Sequence, residues 1–335
     1  MVQLGIDSFV EVSRFGESSA QRAQNLIEEV VLADQVGLDV FGIGEHHRKE
    51  YLASSPAIFL AAAASRTKNI RLASAVTVLS SDDPIRVYQD FATIDLISNG
   101  RAEIVVGRGS FIESYPLFGF DLNQYDELFA EKLDLLLELR KSVEVHWQGK
   151  HRASLTGQAV YPQPVQKPLP VRLGVGGTPA SFARAGLLGL PLTVAIIGGE
   201  PHRFRPMVDL YREAYRKAGH AGEPDVAVHA LGFLADTMRE AIDGYWPMYE
   251  EVMTRIGRER GWGPITKRSF EQQCGPSAAF LVGDPETVAT KIRYYNEVLG
   301  GVSRVSLHMS GGGVTHPQQM HAIELLGTKV KPLVA

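Results

Sequence analysis

Short apolar runs alternate with amphipathic segments along almost the whole chain. Eight β-prone runs predict strands at residues 2–10, 38–44, 70–79, 102–106, 171–175, 190–197, 226–235 and 302–309. The segments between them carry apolar residues at helical spacing and predict helices, among them 20–36, 126–145, 237–256 and 285–299. Because the runs are apolar on both faces, they fit a parallel sheet that helices cover. Eight alternating units of this kind predict an α/β fold, a (β/α)8 TIM barrel.

Two segments break the alternation, and we interpret them as insertions in a single domain that spans residues 1–335. The first, at about 146–170, is rich in glycine and proline, and the second, at about 257–275, is polar and rich in glycine. A doubly wound open sheet is the alternative architecture. It accounts for eight units less economically, and no G-x-G-x-x-G motif follows the first strand.

The composition argues against several classes of protein. A net charge of −4 gives no electrostatic footprint for nucleic acid or for an anionic membrane. No apolar run approaches the roughly 18 residues of a membrane span, and the first residues lack the pattern of a secretory signal. The single cysteine, Cys274, excludes an internal disulfide and is expected to be a buried, inert thiol. We therefore expect a cytoplasmic protein.

The polar ends of the predicted strands are where we expect chemistry, because ligands of parallel α/β folds bind at the carboxyl ends of strands. A charged loop that begins Glu45-His46-His47 follows the second strand. Its histidines are candidates for a metal site, for a catalytic or ligand-contacting group, or for a structural role. Adjacent residues of an extended strand point in opposite directions, which disfavours shared metal coordination. We favour His46 as a residue that exchanges a proton.

Two glycine-rich strand ends are candidate anion sites. After the fourth strand, Arg108 offers a planar set of donors between Gly107 and Gly109, although a structural ion pair also explains it. After the fifth strand, a Gly-Gly-Thr-Pro turn opens a helix whose free amides and threonine hydroxyl suit an anion. An ordinary threonine N-cap followed by proline also explains that turn. The residues of interest in the turn are Gly176, Gly177 and Thr178.

Two further strand ends permit more than one interpretation. The small residues at 74–77 leave room for a flat ligand, or they fill a tapering core. The glycine run at 311–313, which follows His308, either faces the same site or forms a flexible turn.

Together these segments resemble the bacterial luciferase-like monooxygenases, a family of flavin enzymes with a (β/α)8 barrel. The resemblance rests on FGIGEHH at 41–47, the segment from SPAIFL to VVGRG at 55–109, LFGFD at 117–121, GGTPAS at 176–181 and LVGDPETVATKI at 281–292. It spans nearly the whole chain. The order and spacing of the pieces carry it, rather than any single piece.

The resemblance implies a reduced FMN, or in some branches a deazaflavin, across the carboxyl mouth of the barrel. Arg108 and the 176–178 turn match the phosphate site of the family, and Ala75 and Val76 match the strand end that faces the isoalloxazine ring. Relatives often carry a non-prolyl cis peptide there, so we predict one between Ala75 and Val76. His46 matches the catalytic histidine of the luciferases, and the 257–275 insertion matches a segment that is often a mobile lid.

Two positions depart from the luciferase pattern. Gly107 stands where luciferases carry a reactive cysteine, which removes a side chain beside the flavin. Asp126 stands where they carry a second phosphate-binding arginine, and an acid that pointed inward would repel phosphate. The chain therefore resembles other members of the family more than it resembles a light emitter.

The activity that the resemblance implies is FMN-dependent monooxygenation of a small organic substrate, with oxygen and a separate flavin reductase as partners. A deazaflavin-dependent hydride-transfer dehydrogenase is the second hypothesis, ranked lower because Arg108 has no basic cluster around it in the predicted mouth. A non-catalytic flavin-binding protein is the third. A metal-dependent hydrolase that uses His46 and His47 is the fourth, and the opposed directions of the two side chains disfavour it.

The surroundings of the site are less specific in the sequence. Phe9, Tyr115, Phe118 and Phe120 suggest an apolar pocket that does not identify the substrate. The family commonly forms homodimers, so the resemblance implies one here. The helices at 57–64 and 87–97 are apolar enough to take part, but their apolar residues fit the inner faces of barrel helices equally well.

Overall fold

The computed structural model describes residues 2–109, 111–309 and 312–334. Within them the strands are β1 (Gln3–Ser8), β2 (Val40–Ile43), β3 (Arg71–Ser74), β4 (Thr77–Val78), β5 (Ala102–Gly107), β6 (Glu144–Trp147), β7 (Leu155–Ala159), β8 (Val171–Val175), β9 (Leu192–Ile196), β10 (Val226–Leu234), β11 (Leu281–Gly283) and β12 (Arg304–His308). The α-helices are α1 (Ser19–Gln35), α2 (Pro56–Ala64), α3 (Pro84–Ser98), α4 (Ser114–Phe118), α5 (Tyr125–Leu139), α6 (Pro179–Leu187), α7 (Arg205–Lys217), α8 (Met238–Arg260), α9 (Lys267–Gln273), α10 (Pro285–Val298), α11 (His316–Leu325) and α12 (Lys331–Val334).

Eight of the described strands pair in parallel and close into a barrel. The order around the wall is β1, β2, β3, β5, β8, β9, β10 and β12, and β12 pairs with β1 again. Seven wall strands fall within predicted runs, and β5 extends one residue past its run, to Gly107, so the (β/α)8 TIM barrel is confirmed. The strand predicted at 70–79 is divided, because β4 separates from β3 and pairs only with β5. β11, which the sequence did not predict, pairs with the end of β10.

The first insertion corrects one predicted helix. The helix predicted at 126–145 is α5, which ends at Leu139, and a strand begins at Glu144. β-branched Val143 and Val145 favour extended structure, and β6 finds an antiparallel partner in β7. The insertion predicted at about 146–170 therefore consists of this hairpin, which begins two residues earlier at Glu144, and of an irregular return to β8.

The second insertion is more helical than its composition suggests. The helix predicted at 237–256 continues to Arg260, and Gly261 ends it with a φ of 69°. That positive φ is the conformation in which glycine commonly terminates a helix. Helix α9 follows after a short loop, so most of the 257–275 range is helical rather than irregular.

Buried apolar side chains fill the space between the wall and the surrounding helices. Cys274 belongs to this core, being 1% exposed, and burial raises the pKa of its thiol to about 12. The expectation of a buried thiol is thus confirmed. Among the described helices, none combines the length and the apolar character needed to cross a lipid bilayer.

The interior of the barrel is ionic near the amino ends of its strands. Arg304 of β12 donates from Nη1 to Oε1 of Glu103 on β5, at 2.5 Å, and both side chains are buried. These strands lie on opposite sides of the wall, so the pair bridges the barrel. Burial alone would raise the pKa of Glu103, but the guanidinium groups of Arg304 and Arg172 outweigh it and lower that pKa.

We expect Glu103→Leu to lower the free energy of unfolding by about 3–5 kcal/mol, because it leaves the Arg304 charge buried without its partner. The measurement is urea unfolding followed by circular dichroism. The matched control is the double variant Glu103→Leu/Arg304→Met, which removes both charges and should lose much less stability. Equal losses in the single and double variants would contradict this account.

Candidate functional site

A cavity of about 670 Å³ lies at the carboxyl ends of the wall strands. The nine residues that the sequence predicted as catalytic or cofactor-binding all line this one cavity, although their roles remain predictions. They are His46, Ala75, Val76, Gly107, Arg108, Gly109, Gly176, Gly177 and Thr178. The fold therefore brings together four separate strand ends, those of β2, β3, β5 and β8, around a single space.

The peptide bond between Ala75 and Val76 is cis, as predicted. It lies between β3 and β4, and we call these two residues the shelf. β2 and the loop after it hold the shelf in place: the Ala75 amide donates to the Ile43 carbonyl at 2.8 Å, and the Glu45 amide donates to the Val76 carbonyl at 3.2 Å. Oε2 of Glu45 also accepts from the Val78 amide at 2.8 Å. The shelf thus has a hydrogen-bonded support on the β2 side.

Gly107 is explained by the side chain of the shelf. A Cβ atom at this position would lie 2.7 Å from Cγ2 of Val76, which is too close for any other residue without movement. The cysteine expected here from the resemblance would not fit beside Val76, so glycine at 107 and valine at 76 go together. Val76 occupies space that a larger side chain at 107 would take.

Arg108 forms a cationic corner of the cavity, but it is not free of partners. Its Nη1 donates to Oδ1 of Asp126 at 2.5 Å, and its guanidinium lies 4.9 Å from the centre of the Tyr125 ring. Its Nη2 lies 3.4 Å from Oγ of Ser181. The Asp126 side chain is 72% exposed, so this ion pair is well solvated and readily exchanged. The Asp126 carboxylate therefore points towards Arg108, the orientation in which it competes with a phosphate for this guanidinium.

The turn at 176–178 faces the same corner. Thr178 occupies the N-cap position of α6 and Pro179 its first turn, but the Thr178 side chain makes no capping hydrogen bond. The hydroxyl is thus not committed to the role that an ordinary N-cap would give it. Ser181, one turn into α6, also lines the cavity beside Arg108.

His46 lies in an aromatic cage at the end of β2. Its ring centre is 4.5 Å from that of Phe9, 4.4 Å from that of Tyr51 and 5.3 Å from that of Phe111. Nε2 is buried and has no hydrogen-bond partner among the described residues. Burial lowers the pKa of His46 to about 3, so the ring is neutral near pH 7.

The two adjacent histidines go to different surroundings, as the extended geometry predicted. Nε2 of His47 lies 2.8 Å from Oε1 of Glu45, and its ring contacts Phe118. His46 instead faces Phe9 and the cavity. Among the described residues, no group of three or more His, Cys, Asp or Glu side chains is arranged to hold a metal ion.

Sequence reasoning missed a second polar group, on the part of the wall formed by β1, β10 and β12. Nδ1 of His229 lies 2.6 Å from Oδ2 of Asp7, and Nε2 of His308 lies 3.2 Å from Oε1 of Glu11. All four side chains line the cavity. The Phe9 ring lies beside both imidazoles, at 4.0 Å from His308 and 6.0 Å from His229, and the two imidazoles are 5.7 Å apart. We call these pairs the Asp7–His229 dyad and the Glu11–His308 dyad.

Backbone features at β1 and β2 make room for the dyads. A Cβ at Gly42 would lie 2.1 Å from Oδ1 of Asp7, so glycine is needed opposite that carboxylate. Val10 has a φ of 54°, a conformation that is strained for a β-branched residue. It reverses the chain between Phe9 and Glu11, which both reach the cavity.

A face of α8 covers the mouth of the barrel. The side chains of this face, which we call the roof, are Tyr245, Met248, Tyr249, Val252, Met253 and Ile256. Ion pairs hold α8 to the loops below it: Arg48 donates from Nη1 to Glu259 at 2.9 Å, and Arg14 pairs with Glu251 at 2.7 Å. Trp262, in the predicted lid segment, also lines the cavity.

Several residues that the sequence assigned to the pocket lie elsewhere. Of the four aromatic candidates, only Phe9 lines the cavity. Tyr115 is buried against Tyr125, Phe118 is half exposed, and Phe120 packs on the Lys132 ammonium at 3.7 Å. These three lie in helix α4 and just after it, beyond the part of the same connection that reaches the cavity at Phe111.

The structure describes two glycines of the run that follows β12, Gly312 and Gly313. Ser310 and Gly311 lie outside the described residues. Gly313 packs against the roof, since a Cβ there would overlap Met248, and Gly312 packs against Glu11. The described part of the run therefore serves close packing of the loop beneath α8.

The fold and the cavity define a (β/α)8 barrel that receives a ligand at its carboxyl mouth. A family model described as luciferase-like monooxygenase matches residues 2–301. The chain therefore belongs to the luciferase-like monooxygenase family.

Curated relatives differ in cofactor. The chain is 32% identical over 315 residues to an F420-dependent glucose-6-phosphate dehydrogenase of Amycolatopsis mediterranei, covering 86% of this chain and 89% of that protein. It is 25% identical over 242 residues to the oxygenase component of a flavin-dependent trigonelline monooxygenase of Acinetobacter baylyi, covering 70% and 66%. The chain is also 33% identical over 158 residues to the uncharacterized protein y4vJ of Sinorhizobium fredii. This match covers 47% of this chain and 44% of that protein, less than half of its length.

A solved structure supports the fold independently. The oxygenating constituent of 3,6-diketocamphane monooxygenase from Pseudomonas putida, a type II Baeyer-Villiger monooxygenase in complex with FMN, superposes with a TM-score of 0.81. The two chains are 22% identical, and the superposition covers 100% of this chain and 99% of the other. At this identity the likeness concerns the fold alone.

The buried neutral state of His46 has a measurable consequence for stability. Its pKa is about 3 in the folded chain and about 6.5 in an unfolded one, so between these values the unfolded state binds more protons. The stabilisation of the folded state by neutral His46 is therefore complete above pH 6.5, and it is lost as the pH falls towards 3. We expect wild-type stability to fall more steeply below pH 6.5 than that of His46→Gln, by up to about 1.4 kcal/mol per pH unit.

This prediction is checked by urea unfolding at intervals between pH 7 and pH 4. His202→Gln is the matched control, because the His202 side chain is 52% exposed and lies away from the cavity. Its pH dependence should follow that of the wild type. Parallel curves for wild type and His46→Gln would show that His46 does not enter the folded state as a neutral ring.

Proposed function

We propose that this chain is an FMN-dependent monooxygenase of a small organic substrate, which uses reduced FMN and molecular oxygen. The proposal depends on three features that line one cavity. They are the cationic corner at Arg108, the shelf, and neutral His46, whose Nε2 has no hydrogen-bond partner among the described residues. The cavity of about 670 Å³ has the size of sites that receive cofactors and small ligands.

The residues present fit a flat cofactor that ends in a phosphate. Arg108, the Thr178 hydroxyl and the first amides of α6 are donors of the kind that a phosphate accepts from. Gly176 and Gly177 leave open space at the corner, since no atom lies within 4 Å of a Cβ built at either position. Arg108 and the 176–178 turn would hold the phosphate, and Ala75 and Val76 would support the isoalloxazine ring.

The cofactor and the protein would divide the work. Bound reduced FMN supplies the electrons that activate oxygen, a chemistry that amino-acid side chains do not provide. Neutral His46 would hold or pass one proton beside the ring. Phe9, Tyr51, Phe111 and the roof would exclude water from the reacting atoms.

Asp126 would weaken rather than prevent phosphate binding. It already neutralises Arg108, so a phosphate must compete with a carboxylate for the same guanidinium. Because the Asp126 side chain is 72% exposed, it can turn into water at little cost. A moderate affinity of this kind suits a flavin that arrives from a separate reductase and leaves again after turnover.

A deazaflavin-dependent dehydrogenase is the second candidate, and the Amycolatopsis mediterranei relative favours it. The cavity is lined by three acids, Asp7, Glu11 and Glu45, and by three arginines, Arg108, Arg260 and Arg304. We rank FMN first because Arg108 at the corner is already paired with Asp126, so the longer acidic tail of a deazaflavin would have to compete with that carboxylate for one guanidinium. A non-catalytic flavin-binding protein is the third candidate, which flavin binding without turnover would support.

The proposal includes a reductase partner, a homodimer and a cytoplasmic location. A separate flavin reductase is supported by the Acinetobacter baylyi relative, which is named as an oxygenase component. A homodimer is supported by exposed apolar side chains on α2 and α3, namely Ile58 at 71%, Leu96 at 47% and Ile97 at 48%. We also propose a cytoplasmic location, in keeping with the single cysteine.

The proposed phosphate corner is tested by titrating the protein with FMN and with riboflavin, oxidised and anaerobically reduced, while following flavin fluorescence. Arg108→Ala should weaken FMN binding about 10- to 100-fold, because it removes a charge-assisted hydrogen bond to the phosphate. Riboflavin, which lacks the phosphate, should bind wild type and Arg108→Ala alike. Asp126→Asn should bind FMN a few-fold more tightly than the wild type, since the competing charge is removed.

A deazaflavin titration under the same conditions separates the two cofactor hypotheses. Preference for reduced FMN, followed by oxygen consumption with a reductase and a substrate panel, is the expected result. Tighter binding of deazaflavin would move the assignment to hydride transfer. If neither cofactor binds, both cofactor hypotheses are wrong and only the barrel remains.

A further inference from the structure

The wall opposite the proposed phosphate corner carries two oriented imidazoles. Arg108 follows β5 and Thr178 follows β8, whereas the dyads lie on β1, β10 and β12, across the barrel. A cofactor anchored at the corner and lying on the shelf therefore leaves the part of the cavity next to β10 and β12, where His229 and His308 lie, for the substrate. This inference rests on the proposed function, which assigns the corner and the shelf to the cofactor.

The Asp7–His229 dyad fixes which nitrogen of the ring is available. A carboxylate can only accept, so Nδ1 of His229 carries the hydrogen of the 2.6 Å contact with Asp7. In the neutral ring, Nε2 is then the nitrogen with the lone pair. The same reasoning applied to His308 leaves its Nδ1 as an acceptor, and that atom is buried without a hydrogen-bond partner among the described residues.

The surroundings of the dyads restrict the charge and shape of the occupant. The Asp7 and Glu11 carboxylates of the dyads disfavour an anionic ligand beside them, and Arg304 of the same wall, which also lines the cavity, is already paired with Glu103. The roof presents methionine, tyrosine and branched aliphatic side chains, and Phe9 presents an aromatic ring. These surfaces suit an uncharged ring molecule that is mostly apolar.

We propose that the Asp7–His229 dyad binds a hydroxyl group of an aromatic substrate, so that the substrate class is a neutral phenol. Nε2 of His229 accepts the hydrogen bond of the phenol. The tighter of the two dyads is assigned this role, at 2.6 Å against 3.2 Å for the Glu11–His308 dyad. A ketone or ether without a hydroxyl offers only acceptors and would leave Nε2 unsatisfied.

The same geometry permits proton transfer from the bound phenol. The O–H bond breaks and its proton forms a bond with Nε2, which leaves a phenolate and an imidazolium. The Asp7 carboxylate stabilises that imidazolium through Nδ1. No oxidant or reductant is required in this step.

The test compares 2-naphthol with 2-methoxynaphthalene, whose ether oxygen accepts but does not donate. Binding to FMN-loaded protein is measured by isothermal titration calorimetry below the pH at which naphthol ionises. Wild type should bind 2-naphthol about tenfold more tightly than the ether, the effect of one buried hydrogen bond. His229→Phe keeps a ring in place and should bind both ligands equally.

Asp7→Asn tests the tautomer separately. The asparagine amide can donate to Nδ1, which moves the ring hydrogen to Nε2 and turns the acceptor into a donor. The preference for naphthol should then disappear or reverse in favour of the ether. His308→Phe is the matched control in the other dyad and should keep the preference for naphthol.

Three outcomes would overturn the proposal: equal binding of the two ligands by wild type, no naphthol binding at all, or loss of the preference in His308→Phe but not in His229→Phe. Flavin binding is measured in every variant, and the naphthol titration is repeated without flavin. A protein that binds naphthol selectively but not FMN contradicts the proposed function and retains the hydroxyl site. A protein that binds FMN but shows no preference retains the function and loses this inference.

Discussion

The pairing of β1 with β12 is the constraint on which the site depends. It joins the first and last strands of the wall in parallel, with Asp7 opposite His308 in the register. Closure brings Glu11 to His308 and Phe9 to the same ring, although almost 300 residues of chain separate them. One more long-range pairing, of β10 with β12, brings His229 to Asp7. An open sheet with the same strands would leave each of these polar residues without its partner.

Closure also gives the mouth two chemically different halves. On the side of β5 and β8, glycines and Val76 leave a smooth surface that ends at the cationic corner. On the side of β1, β10 and β12, the wall carries acids and imidazoles. A ligand with one anionic end and one flat apolar part fits the first half, and a neutral hydrogen-bonding ligand fits the second. The asymmetry is therefore consistent with two different occupants of one cavity.

The sequence predicted the barrel because each wall strand is a continuous apolar run, and such runs are a local signal. It failed at α5, where helical spacing in 126–139 led the prediction past Leu139 into a strand. The end of a helix of this kind depends on a partner strand, β7, which no local pattern identifies. The shelf was predicted through the resemblance alone, since nothing in the residues themselves requires a cis peptide between alanine and valine.

The dyads show what local patterns omit. Asp7 is the one ionisable residue of β1 and His229 the one ionisable residue of β10, while His308 ends β12, which begins with Arg304. That is a usable signal, because an ionisable group in such a position needs a partner or a function. The sequence does not tell which acid meets which histidine. That pairing follows from the order of strands around the wall and from the space that Gly42 leaves for Asp7.

The roof connects these observations to the state of His46. The pKa of His46 is low chiefly because the ring is buried, and the enclosure of the cavity by α8 contributes to keeping water away from it. α8 is itself held by ion pairs of partly exposed side chains, such as Arg14 with Glu251 and Arg48 with Glu259. Such pairs contribute little stability individually, and the buried side chains of Tyr245 and Met248 anchor α8 in the apolar core. Movement of α8 away from the mouth would admit a ligand and, at the same time, water to His46. Ligand entry and the proton affinity of His46 are therefore linked by the same structural element.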